Sequence, residues 1–110
     1  MIAKILLDYL GDALDVPVVM EAPEQRTDYV LIDQTGSSRT NHIITTTLAI
    51  QSYGSTLYDA MLMNETVKQA MDGFAELGNV TRVELQTDYN FTNTATKQYR
   101  WQAVYLITHY

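Results

Sequence analysis

The stretch TTTLAIQSYGSTLYDA, residues 45–60, joins the end of a long strand pattern to the start of a helix pattern. Side chains alternate along a strand, so the strand predicted over residues 43–53 has two distinct faces. One face carries Ile44, Thr46, Leu48 and Ile50, and the other carries Ile43, Thr45, Thr47, Ala49 and Gln51. Neither face is charged. Two explanations remain open: Thr stands on a half-exposed surface for its strand propensity, or a partner covers that surface.

The strand pattern breaks at Gly54 and Ser55, and a helix pattern follows. Thr56 with Asp59 three residues later resembles a capping box, which marks a helix start. Apolar side chains at helical spacing then predict a helix packed on a sheet. Gly73 and Gly78 are both candidate terminators in left-handed geometry. The apolar stripe consists of Ala60, Met63, Val67, Ala70, Met71 and Phe74.

The remaining patterns predict a single α+β domain over residues 1–110, with a mostly antiparallel sheet of about four to five strands. The long helix packs on one face of that sheet, and a short amphipathic helix spans residues 2–13. Pro17 and Pro23 place an extended segment after the first helix. Further strands are predicted at 28–35, 80–89 and 99–110, with a turn at 36–41 and a polar loop at 90–97.

The last strand, YRWQAVYLITHY, residues 99–110, has apolar groups on both faces. Val104, Leu106 and Thr108 lie on one, and Tyr99, Trp101, Ala103, Tyr105 and Ile107 lie on the other. The second face needs a cover, which is either the first helix or a neighbouring subunit. If a subunit covers it, the substitution Trp101→Asp should break an oligomer and leave a folded monomer.

Composition argues against several kinds of function. The net charge of −6 opposes binding to nucleic acid through phosphate neutralisation. The chain has no cysteine, so it forms neither disulfides nor thiolate zinc sites. Asp8 interrupts the apolar N-terminal run, which we therefore interpret as a helix of the mature protein, and no segment has the length of a membrane span.

Motifs that carry chemistry are absent from the sequence. His42 and His109 stand alone, outside any metal-ligand spacing, and we interpret both as surface or interface residues. No nucleophile motif surrounds Ser37 or Ser38, and no glycine-rich phosphate loop is present. The sequence predicts no enzyme, no metal and no cofactor.

The order of these patterns resembles the tail terminator and tail completion proteins of long-tailed bacteriophages, which join head to tail. The resemblance covers nearly the whole chain. It depends on the layout of helix, extended segment, strands and turns, without an invariant signature. The segments that carry it are ILLDYLGDAL, VPVVMEAPE, DYVLIDQTG, TTTLAIQSYG, STLYDAMLMNETVKQAMDG, VTRVELQTDY and YRWQAVYLITHY.

This resemblance implies a structural phage or prophage protein that forms a ring, commonly a hexamer, and caps the tail tube. Its implied partners are itself, the tail tube protein and the head-neck connector proteins, with neither a membrane nor sequence-specific nucleic acid. It implies assembly in the host bacterial cytoplasm and a final place in the tail-neck region of the virion. An acidic lumen would let DNA slide without sticking.

Candidate contact residues come from the chain's own loops and uncharged faces. The turn at 36–41 and the loop at 89–97 are candidate arms that order on contact with a neighbour. The alternative function is a small ligand-binding or regulatory α+β domain, with Tyr99, Trp101 and Tyr105 lining a pocket. The candidate interface residues are Arg39, His42, Thr45, Thr47, Tyr89, Phe91, Lys97, Tyr99, Trp101 and Tyr105.

Overall fold

A computed structural model describes residues 2–23, 28–78, 80–96 and 98–110. The fold is α+β, as predicted: two helices lie on one face of a five-stranded sheet. The elements in chain order are α1 (Ile2–Ala13), β1 (Val18–Val19), β2 (Tyr29–Thr40), β3 (Ile43–Gly54), α2 (Leu57–Asp72), a 3-10 turn (Phe74–Glu76), β4 (Val80–Asn90) and β5 (Tyr99–His109).

The strands lie in the order β1-β2-β3-β5-β4, and every pairing is antiparallel except the short parallel pair of β1 with β2. β3 is central: it pairs with β2 from Ile43 to Tyr53 and with β5 from Ile44 to Gly54. β1 pairs only with Val30 and Leu31. The outer side of β2 beyond Leu31, and that of β4, therefore have no strand partner among the described residues.

A two-residue turn connects β2 to β3. Asn41 and His42 both have positive φ, at 51° and 68°, as a type I′ hairpin turn requires. Asn accepts this region more readily than most residues, which explains its place in the turn. The predicted turn at 36–41 is wrong for residues 36–40, because β2 extends to Thr40 around a bulge between Gln34 and Gly36. Its Gly and Ser residues mark an exposed edge strand.

Helix α2 begins as predicted: the backbone N–H of Asp59 donates to Thr56 Oγ1 at 3.1 Å. The helix ends at Asp72, with Gly73 as its C-cap. The expected left-handed terminator is wrong, since Gly73 has φ −85° and ψ −11°, in right-handed helical geometry. The chain tightens there into the 3-10 turn, which buries Phe74.

The core lies between the helices and one face of the sheet. The predicted stripe of α2 supplies Ala60, Val67, Met71 and Phe74, all buried. α1 adds Leu6 and Leu10, which are fully buried. The sheet contributes Val30, Ile32, Leu48, Ile50, Ala103, Tyr105 and Ile107.

Helix α2 provides the cover that the last strand requires. It packs across β3 and β5 and buries Ala103, Tyr105 and Ile107 in the core of this chain. The prediction that this face lies against the first helix or a neighbouring subunit is therefore wrong for these three residues. Strand periodicity identified the face correctly but could not identify which element covers it.

Gly54 is required where β3 turns into α2. A Cβ atom at this position would lie 2.6 Å from the backbone N of Ala60 and 2.9 Å from the carbonyl carbon of Asp59. These are backbone atoms of the first helical turn, so they cannot move aside as a side chain would. Strand and helix therefore meet at a contact that only glycine allows.

We expect Gly54→Ala to destabilise the protein by about 1–3 kcal/mol through this overlap. Gly11→Ala is the matched control, since it adds a methyl group in open space near the end of α1 and should stabilise by roughly 0.5–1 kcal/mol. Urea unfolding followed by circular dichroism measures both. Equal effects of the two substitutions would contradict the close approach.

Candidate interaction surface

One face of the sheet has no helix on it among the described residues. On this face lie alternate residues of β3 and their β5 partners, in the pairs Thr45 with Thr108 and Thr47 with Leu106. Five of its six side chains are half-buried, and Ile43 is 42% exposed. We call this uncharged surface the bare face: Ile43, Thr45, Thr47, Val104, Leu106 and Thr108.

A network of polar and aromatic side chains covers the same side of the sheet beyond one end of the bare face. Tyr53 Oη donates to Gln51 Oε1 at 2.7 Å, and Gln51 Nε2 donates to Gln102 Oε1 at 2.8 Å. Gln102 Nε2 in turn donates to the Tyr89 hydroxyl. Because these groups satisfy one another, Gln51, Tyr53 and Gln102 are buried without a second layer. The bare face has no such cover.

Arg100 extends this network to the loop after β4. Its guanidinium lies 4.4 Å from the Phe91 ring centroid, and its Nε donates to the Phe91 carbonyl oxygen at 2.6 Å. Its Nη1 also donates to Tyr53 Oη at 3.1 Å. These contacts hold Phe91 in place, although its side chain stays 39% exposed. The candidates Tyr89 and Phe91 thus form an ordered aromatic pair, with ring centroids 5.9 Å apart.

The interface residues predicted from the sequence lie in different parts of the structure. Thr45 and Thr47 lie on the bare face, and Arg39 and His42 are exposed at the tip of the β2–β3 hairpin. Tyr99 and Trp101 are half-buried, and Tyr105 is only 4% exposed within the core. Lys97 lies outside the described residues. The ten candidates therefore do not form one continuous site.

The described residues of the two predicted arms make hydrogen bonds within this chain. Residues 36–40 belong to β2, and β4 includes Tyr89 and Asn90. Within the loop, the backbones of Asn93 and Gln98 exchange hydrogen bonds of 3.0 and 3.1 Å. The Asn93 side chain also accepts from the backbone N–H of Ala95 at 3.1 Å. The described part of each predicted arm therefore has its own backbone or side-chain hydrogen bonds.

A polar contact ties α2 to the edge strand β4. Asp88 Oδ2 accepts from Lys68 Nζ at 2.9 Å and from Asn64 Nδ2 at 2.8 Å. The hydrogen bond from Lys68 lowers the pKa of the Asp88 carboxyl group, with smaller contributions from Asn64 and from the indole of Trp101. The same carboxylate, together with Glu65, raises the pKa of Lys68. Sequence spacing gave no signal for this contact, because α2 and β4 meet only in the folded chain.

Charge is distributed unevenly between the two layers. The two helices and the 3-10 turn carry six acidic and two basic residues, whereas the bare face carries none. The acidic excess therefore lies mainly on the helix layer. α2 also exposes an apolar group that sequence analysis missed: Leu57, Tyr58, Met61 and Leu62.

An open groove of about 350 Å³ lies between α2 and β4. Lys68, Asp72, Val83 and Tyr105 are among its lining residues. Burial raises the pKa of Tyr105 to about 12, with Asp72 as the next cause. Of the three aromatic residues predicted to line a pocket, only Tyr105 is among those that line this groove.

The histidines have ordinary structural surroundings. The interpretation of His109 as a surface or interface residue is wrong, because His109 is buried within this chain and its Nε2 lies 2.8 Å from Thr46 Oγ1. His42 is exposed in the hairpin turn. Within the described residues, no three His, Cys, Asp or Glu side chains are grouped to hold a metal ion. In the same residues, no helix has the length and apolar character needed to cross a membrane.

No protein-family model matches the sequence, and no curated protein matches it significantly.

We now expect Trp101→Asp to destabilise the folded chain by about 2–4 kcal/mol, since it places a second carboxylate on the helix-covered face near Asp88. This reverses the expectation of an intact monomer. Thr47→Asp on the bare face is the matched control and should cost less than about 1 kcal/mol. Denaturant unfolding compares the two. A fully stable Trp101→Asp monomer would show that the strand tolerates charge there.

The Asp88 contact should make stability depend on acid pH. Its pKa is lower in the folded state than the ordinary 3.8, so the stabilisation is present above pH 4 and is lost as pH falls through the folded value. Asp88→Asn should lower the unfolding free energy by about 1 kcal/mol at pH 7. It should also flatten the pH dependence below pH 4. Urea titrations between pH 7 and about pH 2 test both effects, and an unchanged slope would rule out the contact as their cause.

Proposed function

We propose that this chain is a structural subunit of a long-tailed bacteriophage or prophage, which caps the tail tube and joins it to the neck as a ring. The observation that carries the proposal is the bare face. A small domain that leaves uncharged side chains of two central strands without a helix over them has a surface suited to a protein partner. The element order agrees with the layout on which the family resemblance depends.

The bare face is suited to the tail tube protein or a neck connector. Its Thr, Val, Leu and Ile side chains supply apolar area and hydroxyl groups without the desolvation cost of charges. The hairpin tip, with Arg39 and His42, extends next to it and adds polar contacts at its rim. The subunit would assemble in the cytoplasm of the host bacterium and stay at the tail-neck junction.

The distribution of charge indicates which layer of the subunit would line the lumen through which DNA passes. An acidic lumen repels DNA and prevents sticking. Because the acidic excess lies on the helix layer, an acidic lumen requires that layer to face inward. A ring with a neutral or basic lumen would contradict this part of the proposal and leave the capping role intact.

Deletion of the gene from the phage or prophage that encodes it tests the function. We expect headless particles with tails of uncontrolled length in electron micrographs, because nothing stops growth of the tube. Complementation with the wild-type chain should restore infectious particles. Normal virions in the absence of the chain would overturn the proposal.

Complementation with variants tests the surface. Thr47→Glu and Leu106→Glu add charge to the bare face at half-buried positions, and each should lower the titre of infectious particles at least about tenfold if a partner covers them. Gln69→Glu on the exposed side of α2 is the matched control and should leave the titre unchanged. Equal titres for all three variants would show that the bare face has no partner.

A further inference from the structure

Both edges of the sheet present unpaired backbone in the described part of the chain. β1 covers β2 only at Val30 and Leu31, so the outer side of β2 from Asp33 to Thr40 pairs with no strand. These eight residues are all exposed. β4 forms the opposite edge and pairs only with β5. Each edge has a row of N–H and C=O groups available to another strand.

The directions of the two edge strands are compatible. β2 is antiparallel to β3, β3 to β5, and β5 to β4. β2 and β4 therefore run in opposite directions. If a neighbouring copy is related by a rotation about an axis near the strand direction, its β2 lies antiparallel to the β4 that it approaches. This is the same kind of pairing that builds most of the sheet within the chain.

The two edges also lie at the same level of the sheet. Ser38 pairs with Thr45, Thr45 with Thr108, and Thr108 with Arg82, so one row runs across the whole sheet. Two residues along, a second row runs from Gly36 through Thr47 and Leu106 to Glu84. A rotation without a large shift along the axis therefore brings segment 36–40 of one copy next to segment 82–84 of another.

The charges of the edge residues and the positions of the β-bulges both favour pairing between these two segments. In the first row Arg82 would face Ser38, and in the second Glu84 would face Gly36, so no like charges oppose each other. The β2 bulge between Gln34 and Gly36 and the β4 bulge between Leu85 and Thr87 fall outside the paired segments. A bulge between Val80 and Arg82 ends the regular part of β4. Bulges discourage edge pairing, so they restrict the contact to the regular segments between them.

We infer that copies of this chain assemble by strand pairing, with the β2 edge of one subunit, residues 36–40, adding to the regular part of the β4 edge of the next, residues 82–84. The contact is heterologous, because each subunit gives a different edge to each neighbour, and such a contact forms a ring when the rotation between neighbours closes. The inference rests on the proposed ring and identifies its subunit contact. The bare face stays open for the tail partners.

Cysteine cross-linking tests the contact without interference from native thiols, since the chain has no cysteine. Directly opposed residues of antiparallel strands have Cα atoms within the range that a disulfide spans. We expect the double variant Ser38→Cys with Arg82→Cys to give a ladder of covalent multimers on mild oxidation. Thr40→Cys with Arg82→Cys tests the register shifted by two residues. Neither single variant of a cross-linking pair should form more than trace dimer.

The pair Thr47→Cys with Tyr58→Cys is the matched control, because it reports a contact between the bare face and the exposed apolar group of α2. A ladder from that pair alone would overturn the inference in favour of sheet-to-helix packing. A strong dimer from Ser38→Cys alone would overturn it in favour of a symmetric edge contact.

Hydrogen exchange on the unmodified protein provides an independent measurement. Light scattering after size exclusion first identifies concentrations at which the chain is monomeric or assembled. Amides in 36–40 and 82–84 should exchange at least about tenfold more slowly in the assembled state, whereas those of α2 should not change. Unchanged exchange at both edges, or a monomer at every concentration with no disulfide ladder, would overturn the inference. A ladder together with normal virions after gene deletion would retain this contact and remove the tail function.

Discussion

The packing of α2 across β3 and β5 determines which face of the sheet is buried and which face stays exposed. Apart from Arg100, the two central strands have uncharged side chains on both faces, and one long helix covers only one of these faces. Leu48, Ile50, Ala103 and Ile107 are buried under that helix. On the other side, Gln and Tyr side chains that hydrogen-bond to one another cover one part of the sheet, and the remainder has no cover. The candidate surface is therefore a consequence of having a single helical layer.

Sequence periodicity was sufficient to predict the helices and strands and the side chains that share each face. Alternation placed Thr45 and Thr47 on one side of β3, and the apolar spacing of α2 identified its buried stripe. The central strand and the start of α2 at its Thr56 cap agree closely with the prediction. These features depend on local chemistry, which a single sequence contains.

Features that depend on contacts between distant elements were not predictable in the same way. The pattern of β5 gave two apolar faces, but only the tertiary arrangement shows that α2 covers the face of Tyr105. Residues 36–40 have the composition of a turn and form an edge strand, because pairing with β3 overrides the local preference of Gly and Ser. The contact of Lys68 with Asp88 likewise joins residues twenty positions apart.

The central position of β3 has a mechanical consequence. Hydrogen-bonded ladders flank the strand on both sides along nearly its whole length. A force along its axis therefore loads many perpendicular hydrogen bonds in shear at once, whereas a force that peels an edge strand breaks them one after another. Tension applied at the Asn41–His42 tip would be carried through β3 to Gly54, where the strand meets the first turn of α2. The hairpin therefore connects an exposed tip mechanically to the helical layer.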